Sequence, residues 1–221
     1  AATIQFHSFQ LKEKPNEDFY KEAESCFSIL AHKKVTHPYL FDRKSLPSYI
    51  VVLTSDEGFL GELNTFLVNA SIDQRKSKND EIVVLGERGA MYLEDMGQSF
   101  TLFPGISDEI RFNEVKKIKD YLLAGYRKKF GRIFIIYPQF ISLTQQRVTI
   151  QQLLPFEGEA KRAPTLSPRS LLIEDMLIEP STNEALESLM DIWSGFMLLD
   201  IFWSAKQSEF GARIMHLEGR T

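Results

Sequence analysis

The sequence predicts an α/β fold: an open, mostly parallel, five-stranded Rossmann-like sheet flanked by long N- and C-terminal helices that pair as an antiparallel coiled coil. In the middle of the chain, short β-rich apolar runs alternate with helical patterns, as in sheets built from right-handed crossovers. Toward both ends, apolar residues recur with the 3.5-residue period of a coiled-coil seam. We therefore predict an N-terminal helix over 1–34, an α/β domain over 35–180 and a C-terminal helix over 181–221.

The N-terminal helix is predicted from apolar residues that recur in alternating steps of three and four between Ala2 and Leu30. Pro15 lies where this pattern turns polar. Because proline lacks an amide hydrogen and clashes with the preceding turn, a kink or local break is expected near it. Cys26, also in this helix, is expected to be packed rather than reactive.

The domain in the middle is predicted to contain five strands with helices between them. Unbroken apolar runs such as 49–53 are typical of strands that are buried on both faces. The predicted strands cover 49–53, 82–85, 100–103, 133–137 and 148–154, and the predicted helices cover 61–75, a short segment through Met91 and Leu93, and 112–126.

The C-terminal helix begins at a capping-box pattern, with Ser181 at the cap and Glu184 three residues later. No proline occurs from 182 to 217, a length that would span about 54 Å as a helix, against a radius of gyration of about 17 Å for a compact chain of this size. Part of the helix should therefore project from its domain. The seam positions are Leu186, Leu189, Trp193, Phe196, Asp200, Trp203, Gln207, Phe210, Ile214 and Leu217.

The two halves of this helix differ in the width of the apolar face. Up to Trp203 the face is broad, which favours a helix that lies on a sheet. Beyond Gln207 the face narrows to a seam, which favours a helix partner. Gly195 and Gly211 each weaken a helix by about 1 kcal/mol relative to alanine. They are expected where another backbone comes close, and a tolerated imperfection is the alternative interpretation.

Composition and charge exclude several classes of function. The chain has 221 residues, with 26 basic and 30 acidic ones and a net charge of −4, which argues against a nucleic-acid binder working by bulk charge. A single cysteine excludes an internal disulfide and a zinc site of several thiolates. No histidine has a neighbour at metal-ligand spacing, and we identify no catalytic constellation and no cofactor motif.

One glycine turn has the position, but not the spacing, of a phosphate-binding loop. Gly58 and Gly61 follow a predicted strand and precede a predicted helix, but they form G-x-x-G rather than G-x-G-x-x-G. The neighbouring Asp56, Glu57 and Glu62 would repel a phosphate at the helix N-terminus. A Rossmann-like nucleotide-binding enzyme using this turn is one alternative hypothesis, and a tight structural turn is the other interpretation.

Several segments, in the same order along the chain, resemble the gamma subunit of F-type rotary ATP synthases, which forms the central stalk. The segment Thr-Ser-Asp-Glu-Gly-Phe-Leu-Gly-Glu-Leu-Asn is similar to that family's T-S-D-R-G-L-C-G-G-L-N. The segment Ser-Glu-Phe-Gly-Ala-Arg-Ile-Met is similar to its C-terminal S-E-x-x-A-R-M-x-A-M. All the matching segments together are 37–40, 54–64, 140–141, 149–155, 179–180 and 208–215.

The departures from the family pattern indicate a divergent branch. Glu57, Leu60 and Glu62 stand where the family has arginine, cysteine and glycine, and the C-terminal signature is lost at 216–217. The ends of the family's two terminal helices are expected to lie outside these 221 residues. A gamma-like paralogue that scaffolds another assembly is therefore a third hypothesis.

The resemblance implies a non-catalytic rotor that couples transmembrane ion flow to ATP synthesis or hydrolysis. In the family, the α/β domain stands at the foot of the stalk with the epsilon subunit and the membrane c-ring, and the paired helices lie inside the hexamer of alpha and beta subunits. It further implies a peripheral location at the cytoplasmic face of a bacterial-type membrane, without secretion, membrane insertion, cofactor or nucleic acid. By their place in the motif, Glu209 and Arg213 are candidates for contacts with beta-subunit loops.

Overall fold

The structure is a computed structural model that describes residues 17–32, 37–57, 62–156 and 177–218. Helices and strands alternate along most of these ranges. The helices are α1 (Glu17–His32), α2 (Leu63–Gln74), α3 (Glu87–Asp95), α4 (Phe112–Lys128) and α5 (Thr182–Glu218). The strands are β1 (Ser48–Leu53), β2 (Glu81–Leu85), β3 (Phe100–Phe103), β4 (Arg132–Ser142) and β5 (Gln145–Leu154).

The five strands form one sheet in the order β3-β2-β1-β4-β5. The first four are parallel, and β5 is antiparallel to β4, which confirms the predicted mostly parallel sheet. β4 and β5 are longer than predicted and continue as a hairpin beyond the point where β1 ends. This extension was missed because it contains Gln139, Ser142 and Gln145–Arg147, whose polarity conceals the strand.

Both faces of the sheet are covered. The side chains of Val51, Val83 and Ile135 point to the face that carries α1, α4 and α5, and belong to one large core. Ile50 and Val84 belong to a second core with α2 and α3 on the opposite face. Because alternate residues of β1 and β2 enter different cores, the runs Tyr49–Leu53 and Ile82–Leu85 are apolar throughout, which explains the predicted unbroken apolar runs.

Helix α1 packs against the first half of α5 in the antiparallel direction. The ring centroids of Phe19 and Phe196 lie 4.5 Å apart, and those of Phe27 and Trp193 lie 6.0 Å apart. Going from Phe19 to Phe27 along α1, the contacted residue in α5 moves back from Phe196 to Trp193. The two helices therefore run antiparallel in this part of the chain, as predicted. The kink near Pro15 falls outside the described residues.

The long C-terminal helix is confirmed, with 37 residues in α5. Its first half lies on the sheet as predicted, with Leu186, Met190 and Phe202 in the large core. Farther along, Phe210 and Ile214 are buried in a small core with Phe140 of the extended β4. The sheet itself therefore covers part of the seam for which a helix partner was predicted, and residues 1–16, the other predicted partner, are outside the described ranges.

Two expectations for single residues are wrong. Cys26 is exposed, because the buried face of α1 follows Ala23, Phe27 and Leu30, and Cys26 lies about 100° away from Phe27 around the helix. Among the described residues, a methyl group on Gly195 would meet only the Lys119 side chain, at 3.8 Å, so none of their backbone lies close to it.

The expectation for Gly211 is confirmed. A Cβ atom at this position would lie 3.7 Å from the Leu143 carbonyl oxygen and 3.3 Å from the Phe140 ring. The helix therefore lies against the tip of the β4–β5 hairpin at a position where it carries a glycine.

Candidate functional site

Charged side chains gather where the second half of α5 crosses the carboxyl ends of the parallel strands. We call this the charge cluster, and it consists of Lys206, Glu209 and Arg213 of α5 with Glu57, which follows β1, and Asp108, which follows β3. The three helix residues lie on one face of α5 because they are three and four positions apart. The cluster therefore connects the long helix to two separate loops of the sheet.

Lys206 is the buried centre of the charge cluster. Its Nζ donates a hydrogen bond to the Ile106 carbonyl oxygen at 2.9 Å and lies 2.9 Å from carboxylate oxygens of both Asp108 and Glu209. The lysine side chain is only 5% exposed. A buried ammonium is tolerated when its donors are satisfied and its charge is paired, and both conditions are met here.

Arg213 extends the charge cluster toward the surface. Its guanidinium donates to Glu209, which lies one turn earlier in the helix, and is 2.9 Å from the Glu57 carboxylate. Its carbon Cζ is 5.6 Å from the centre of the Phe210 ring, and the Lys206 ammonium is 5.5 Å from the same ring. The aromatic ring thus lies near both cations.

The structure brings together both residues that the motif singled out. Glu209 and Arg213 are paired with each other, and their side chains are 10% and 18% exposed. Sequence reasoning missed Lys206, although its i,i+3 spacing from Glu209 was a usable signal. It could not find Glu57 and Asp108, since those contacts span about 100 to 150 positions of the chain.

The carboxyl edge of the sheet is where doubly wound sheets bind nucleotides, and here its described part is filled by the chain's own side chains. Thr54 Oγ1 donates to the Leu85 carbonyl oxygen at 2.7 Å and accepts from the Gly89 amide at 3.1 Å. The Asp56 carboxylate accepts from the Glu87 amide at 3.0 Å. These contacts disfavour the nucleotide-binding hypothesis, although the Gly58–Gly61 turn itself lies outside the described residues.

A polar contact also joins the described parts of the two terminal helices. The Tyr20 hydroxyl of α1 donates to the carboxylate of Asp200, a polar position in the predicted seam of α5. Burial raises the pKa of the Asp200 carboxyl, and the hydrogen bond from Tyr20 opposes that rise. Burial and the Asp200 carboxylate both raise the pKa of Tyr20, so its hydroxyl stays protonated and remains a donor.

The beginning of α5 is held to α4 by ion pairs. Lys119 Nζ lies 2.6 Å from the Asp191 carboxylate, and Arg127 lies 3.4 Å from that of Glu187. His37 Nε2 lies 3.5 Å from the same Glu187 carboxylate, and burial lowers the pKa of His37 although Glu187 opposes this. α5 is therefore fixed to the domain near both ends of its contact with the sheet.

The described residues offer neither a membrane span nor a metal centre. None of the helices in these ranges combines the length and the apolar content needed to cross a bilayer. Within the same ranges, no three histidine, cysteine, aspartate or glutamate side chains are arranged to hold a metal ion.

Known proteins resemble the chain over almost its whole length. A family model described as ATP synthase matches residues 1–221. The ATP synthase gamma chain of Clostridium botulinum (strain Kyoto / Type A2) is 26% identical to it over 213 residues, which cover 93% of this chain and 72% of that one. The ATP synthase gamma chain of Desulfitobacterium hafniense is 26% identical over 192 residues, which cover 85% of this chain and 65% of that one.

Solved structures show the same fold at lower identity. The central stalk and c-ring structure of Tetrahymena thermophila mitochondrial ATP synthase contains a chain with a TM-score of 0.67 at 15% identity, covering 99% of this chain and 92% of that one. The rotor of Euglena gracilis mitochondrial ATP synthase gives a TM-score of 0.56 at 15% identity, covering 99% and 90%.

Proposed function

The chain belongs to the gamma-chain family of ATP synthases, and we propose that its α5 helix contacts the alpha and beta subunits while its α/β domain contacts the epsilon subunit and the c-ring. As a gamma chain it is a rotor subunit of an F-type ATP synthase, and it is not itself a catalyst. These partners are the ones that gamma subunits of the family contact in the arrangement implied by the resemblance. Contacts within this chain support their assignment to opposite ends of the molecule.

The single observation that carries this proposal is the way α5 is attached. A rotor must transmit torque from its foot to the catalytic subunits, so its long helix must not twist or slide on its base. α5 spans about 55 Å as 37 continuous helical residues. It is fixed to the sheet by apolar packing, to α4 by ion pairs near its start, and to the strand ends by the charge cluster.

We further propose that Arg213 contacts a beta-subunit loop, with Glu209 holding its guanidinium in place. Arg213 is the more exposed of the two and lies in the last turns of α5, toward the proposed hexamer end. Arg213 pairs with both Glu209 and Glu57, and Glu209 also has Lys206, so changing Arg213 alone would deprive the Glu57 carboxylate of this cation. The test therefore compares Glu57→Gln/Arg213→Gln with Glu57→Gln, so that only the double variant removes the proposed contact.

The expected result is that the double variant folds normally but loses most of the coupled ATPase activity of the reconstituted complex. Glu57→Gln should retain that activity, since it keeps the arginine. Equal activity of the two variants would remove Arg213 from the interface, and unfolding of the double variant would show that its role is structural.

The proposed partners can be tested by co-expression with the alpha, beta and epsilon subunits of the same organism. We expect one copy of this chain in each hexamer on size exclusion, together with ATPase activity that depends on it. A chain that elutes alone beside an intact hexamer would favour the paralogue hypothesis.

We also propose that the complex places this chain at the cytoplasmic face of a bacterial membrane as a peripheral component. The curated relatives are bacterial gamma chains, which supports this assignment. Membrane fractionation would test it: the chain should sediment with membranes when the complex is intact and be released when the catalytic part is stripped off.

A further inference from the structure

Cationic side chains are concentrated at the amino ends of the parallel strands, opposite the charge cluster. Four loops that enter β1, β2, β3 and β4 border two adjoining depressions of about 190 and 750 Å³, which share Pro47 and Asn79 in their lining. We call this surface the basic face. Its seven cationic residues are Lys44, Arg75, Lys76, Lys78, Lys128, Lys129 and Arg132.

The two carboxylates in the lining of these depressions are already engaged within the chain. Asp80 is buried and accepts hydrogen bonds from the backbone amides of Ser48 at 2.7 Å and Ser77 at 2.8 Å. Glu81 accepts from the hydroxyls of Thr101 and Tyr121. These carboxylates organise the loops rather than pairing with the lysines.

The cations therefore give the basic face an excess of positive charge. The exposed Lys44, Lys76, Lys78 and Lys128 form no ion pair with any residue in the described ranges. This concentration occurs in a chain whose net charge is −4, so the rest of the molecule is strongly acidic. Like charges held close together repel one another, and an anionic partner would relieve that repulsion.

The composition of the basic face matches a phospholipid surface better than a protein or a nucleic acid. Protein interfaces are depleted in lysine and serine at their cores and enriched in aromatic residues, whereas five of the seven cations here are lysines. Single-stranded nucleic acid needs exposed aromatic platforms, but the large apolar side chains here, such as Phe100 and Phe134, are half-buried. Clusters of four to eight lysines and arginines are typical of surfaces that bind anionic lipids.

The direction of α5 determines where the basic face points. Early in α5, Glu187 contacts Arg127, which lies in the last turn of α4 beside Lys128 of the basic face. Late in α5, Arg213 contacts Glu57 at the opposite edge of the sheet. The helix thus runs away from the basic face. If the end of α5 points toward the catalytic subunits, the basic face lies on the membrane side of the domain, the same side as the proposed c-ring contact. This step rests on the proposed function.

We propose that the basic face binds the phosphate headgroups of anionic phospholipids at the membrane surface. The smaller depression presents Lys44 and Lys76 around a space of about 190 Å³, with hydroxyl groups of Ser45 and Ser77 in its lining. Arg132 also lines it and lies 3.7 Å from the Asp42 carboxylate. Such a site offers positive charge and hydrogen-bond donors to a phosphate without requiring any side chain to enter the hydrocarbon. The contact is electrostatic, so it weakens as salt is added.

The experiment measures sedimentation of the full 221-residue chain with vesicles. One vesicle type contains phosphatidylglycerol and phosphatidylcholine at 3:7, and the other contains phosphatidylcholine alone. The test variant is Lys44→Glu/Lys76→Glu/Lys128→Glu. The control, Lys21→Glu/Arg111→Glu/Lys117→Glu, makes the same change in net charge at exposed positions away from the basic face.

We expect binding to the anionic vesicles only. Losing one cation should lower the affinity about fivefold, so the triple variant, which loses three cations and gains three carboxylates, should lower it by at least about 100-fold. The control variant should bind like the parent chain. Circular dichroism and unfolding curves of all three proteins verify that they are folded.

Absence of parent binding to anionic vesicles would overturn the proposal, as would equal losses in the two variants. If the test variant binds vesicles normally but no longer associates with purified c-ring, the basic face recognises an acidic protein surface instead. Co-assembly with alpha and beta subunits is measured separately. If the variant loses vesicle binding but still assembles with the alpha and beta subunits, the result bears on the basic face alone. If the parent chain fails to assemble, the proposed function is wrong.

Discussion

At the scale of single residues, the family motif identified two members of the charge cluster but not the residues that they contact. The family pattern singled out Glu209 and Arg213, and both lie in the cluster. Lys206, which contacts Ile106, Asp108 and Glu209, is absent from that pattern. The Ile106 carbonyl and the Asp108 carboxylate belong to the loop after β3, and no local spacing in the sequence connects that loop with α5.

Replacing Lys206 by methionine should destabilise the domain by about 1–3 kcal/mol, because it leaves the Ile106 carbonyl without its donor and the buried Glu209 carboxylate with Arg213 as its remaining cation. Urea unfolding, followed by circular dichroism, measures this. The matched control is Lys116→Met, which removes an ion pair of the same kind with Asp120 on the exposed face of α4. That variant should keep the parent midpoint, and equal effects of the two substitutions would contradict a special role for the buried lysine.

His37 should make the stability depend on pH. Its Nδ1 accepts a hydrogen bond from the Tyr39 amide at 3.3 Å, and burial lowers its pKa below the ordinary value of 6.5. Below pH 6.5 the unfolded chain takes up a proton before the native chain does, so stability falls as the pH falls.

The measurement is the urea midpoint of the parent and of His37→Asn at pH 7.5 and pH 5.5. The asparagine can still accept from the Tyr39 amide but does not titrate. We expect the parent to lose more stability than the variant on acidification. Identical losses would show that His37 contributes nothing to the pH dependence.

At the scale of helices and strands, contacts between elements explain the features that apolar periodicity did not predict. Apolar periodicity predicted every strand that is buried on both faces, as well as the full length of α5. It missed the β4–β5 extension, where one side packs against Phe210 and polar residues face the other way. A pattern reports burial, so a strand that is only partly buried leaves a weak signal.

The contact between α1 and α5 predicts a specific loss on changing Tyr20 to phenylalanine. The variant keeps the ring but leaves the half-buried Asp200 carboxylate without its donor, which should cost about 1–3 kcal/mol. Tyr92→Phe is the control, since the Tyr92 hydroxyl has no hydrogen bond to the described residues. Chemical unfolding measures the free energy of unfolding of both variants. An equal loss in Tyr92→Phe would contradict a specific role for the Tyr20–Asp200 hydrogen bond.

The two glycines of α5 should respond differently to alanine. Gly195 has room for a methyl group, so Gly195→Ala should stabilise the helix by about 1 kcal/mol and raise Tm by about 2–4 °C. At Gly211 the same methyl group would lie 3.3 Å from the Phe140 ring, so the gain should be smaller or absent. Thermal unfolding of the two variants measures the difference, and a larger gain at Gly211 would contradict the close packing of α5 on the hairpin.

At the scale of the whole molecule, the two edges of the sheet differ in their chemistry. The carboxyl edge is closed by internal hydrogen bonds and by the charge cluster, which ties it to α5. The amino edge carries the basic face, from which α5 runs away. The composition reports only the net charge of the whole chain, −4, and therefore could not predict that positive charge is concentrated at one edge.

The central claim is that this chain turns as a rotor inside a catalytic hexamer, and a single-molecule rotation assay tests it most directly. Cys26 is the only cysteine in the sequence and is exposed on α1, so a bead can be attached there without introducing a new residue. The hexamer of alpha and beta subunits from the same organism is fixed to a surface, and ATP is added. We predict rotation of the bead in one direction, at a rate that follows ATP hydrolysis. A bead that stays still on a hexamer that continues to hydrolyse ATP would contradict the claim.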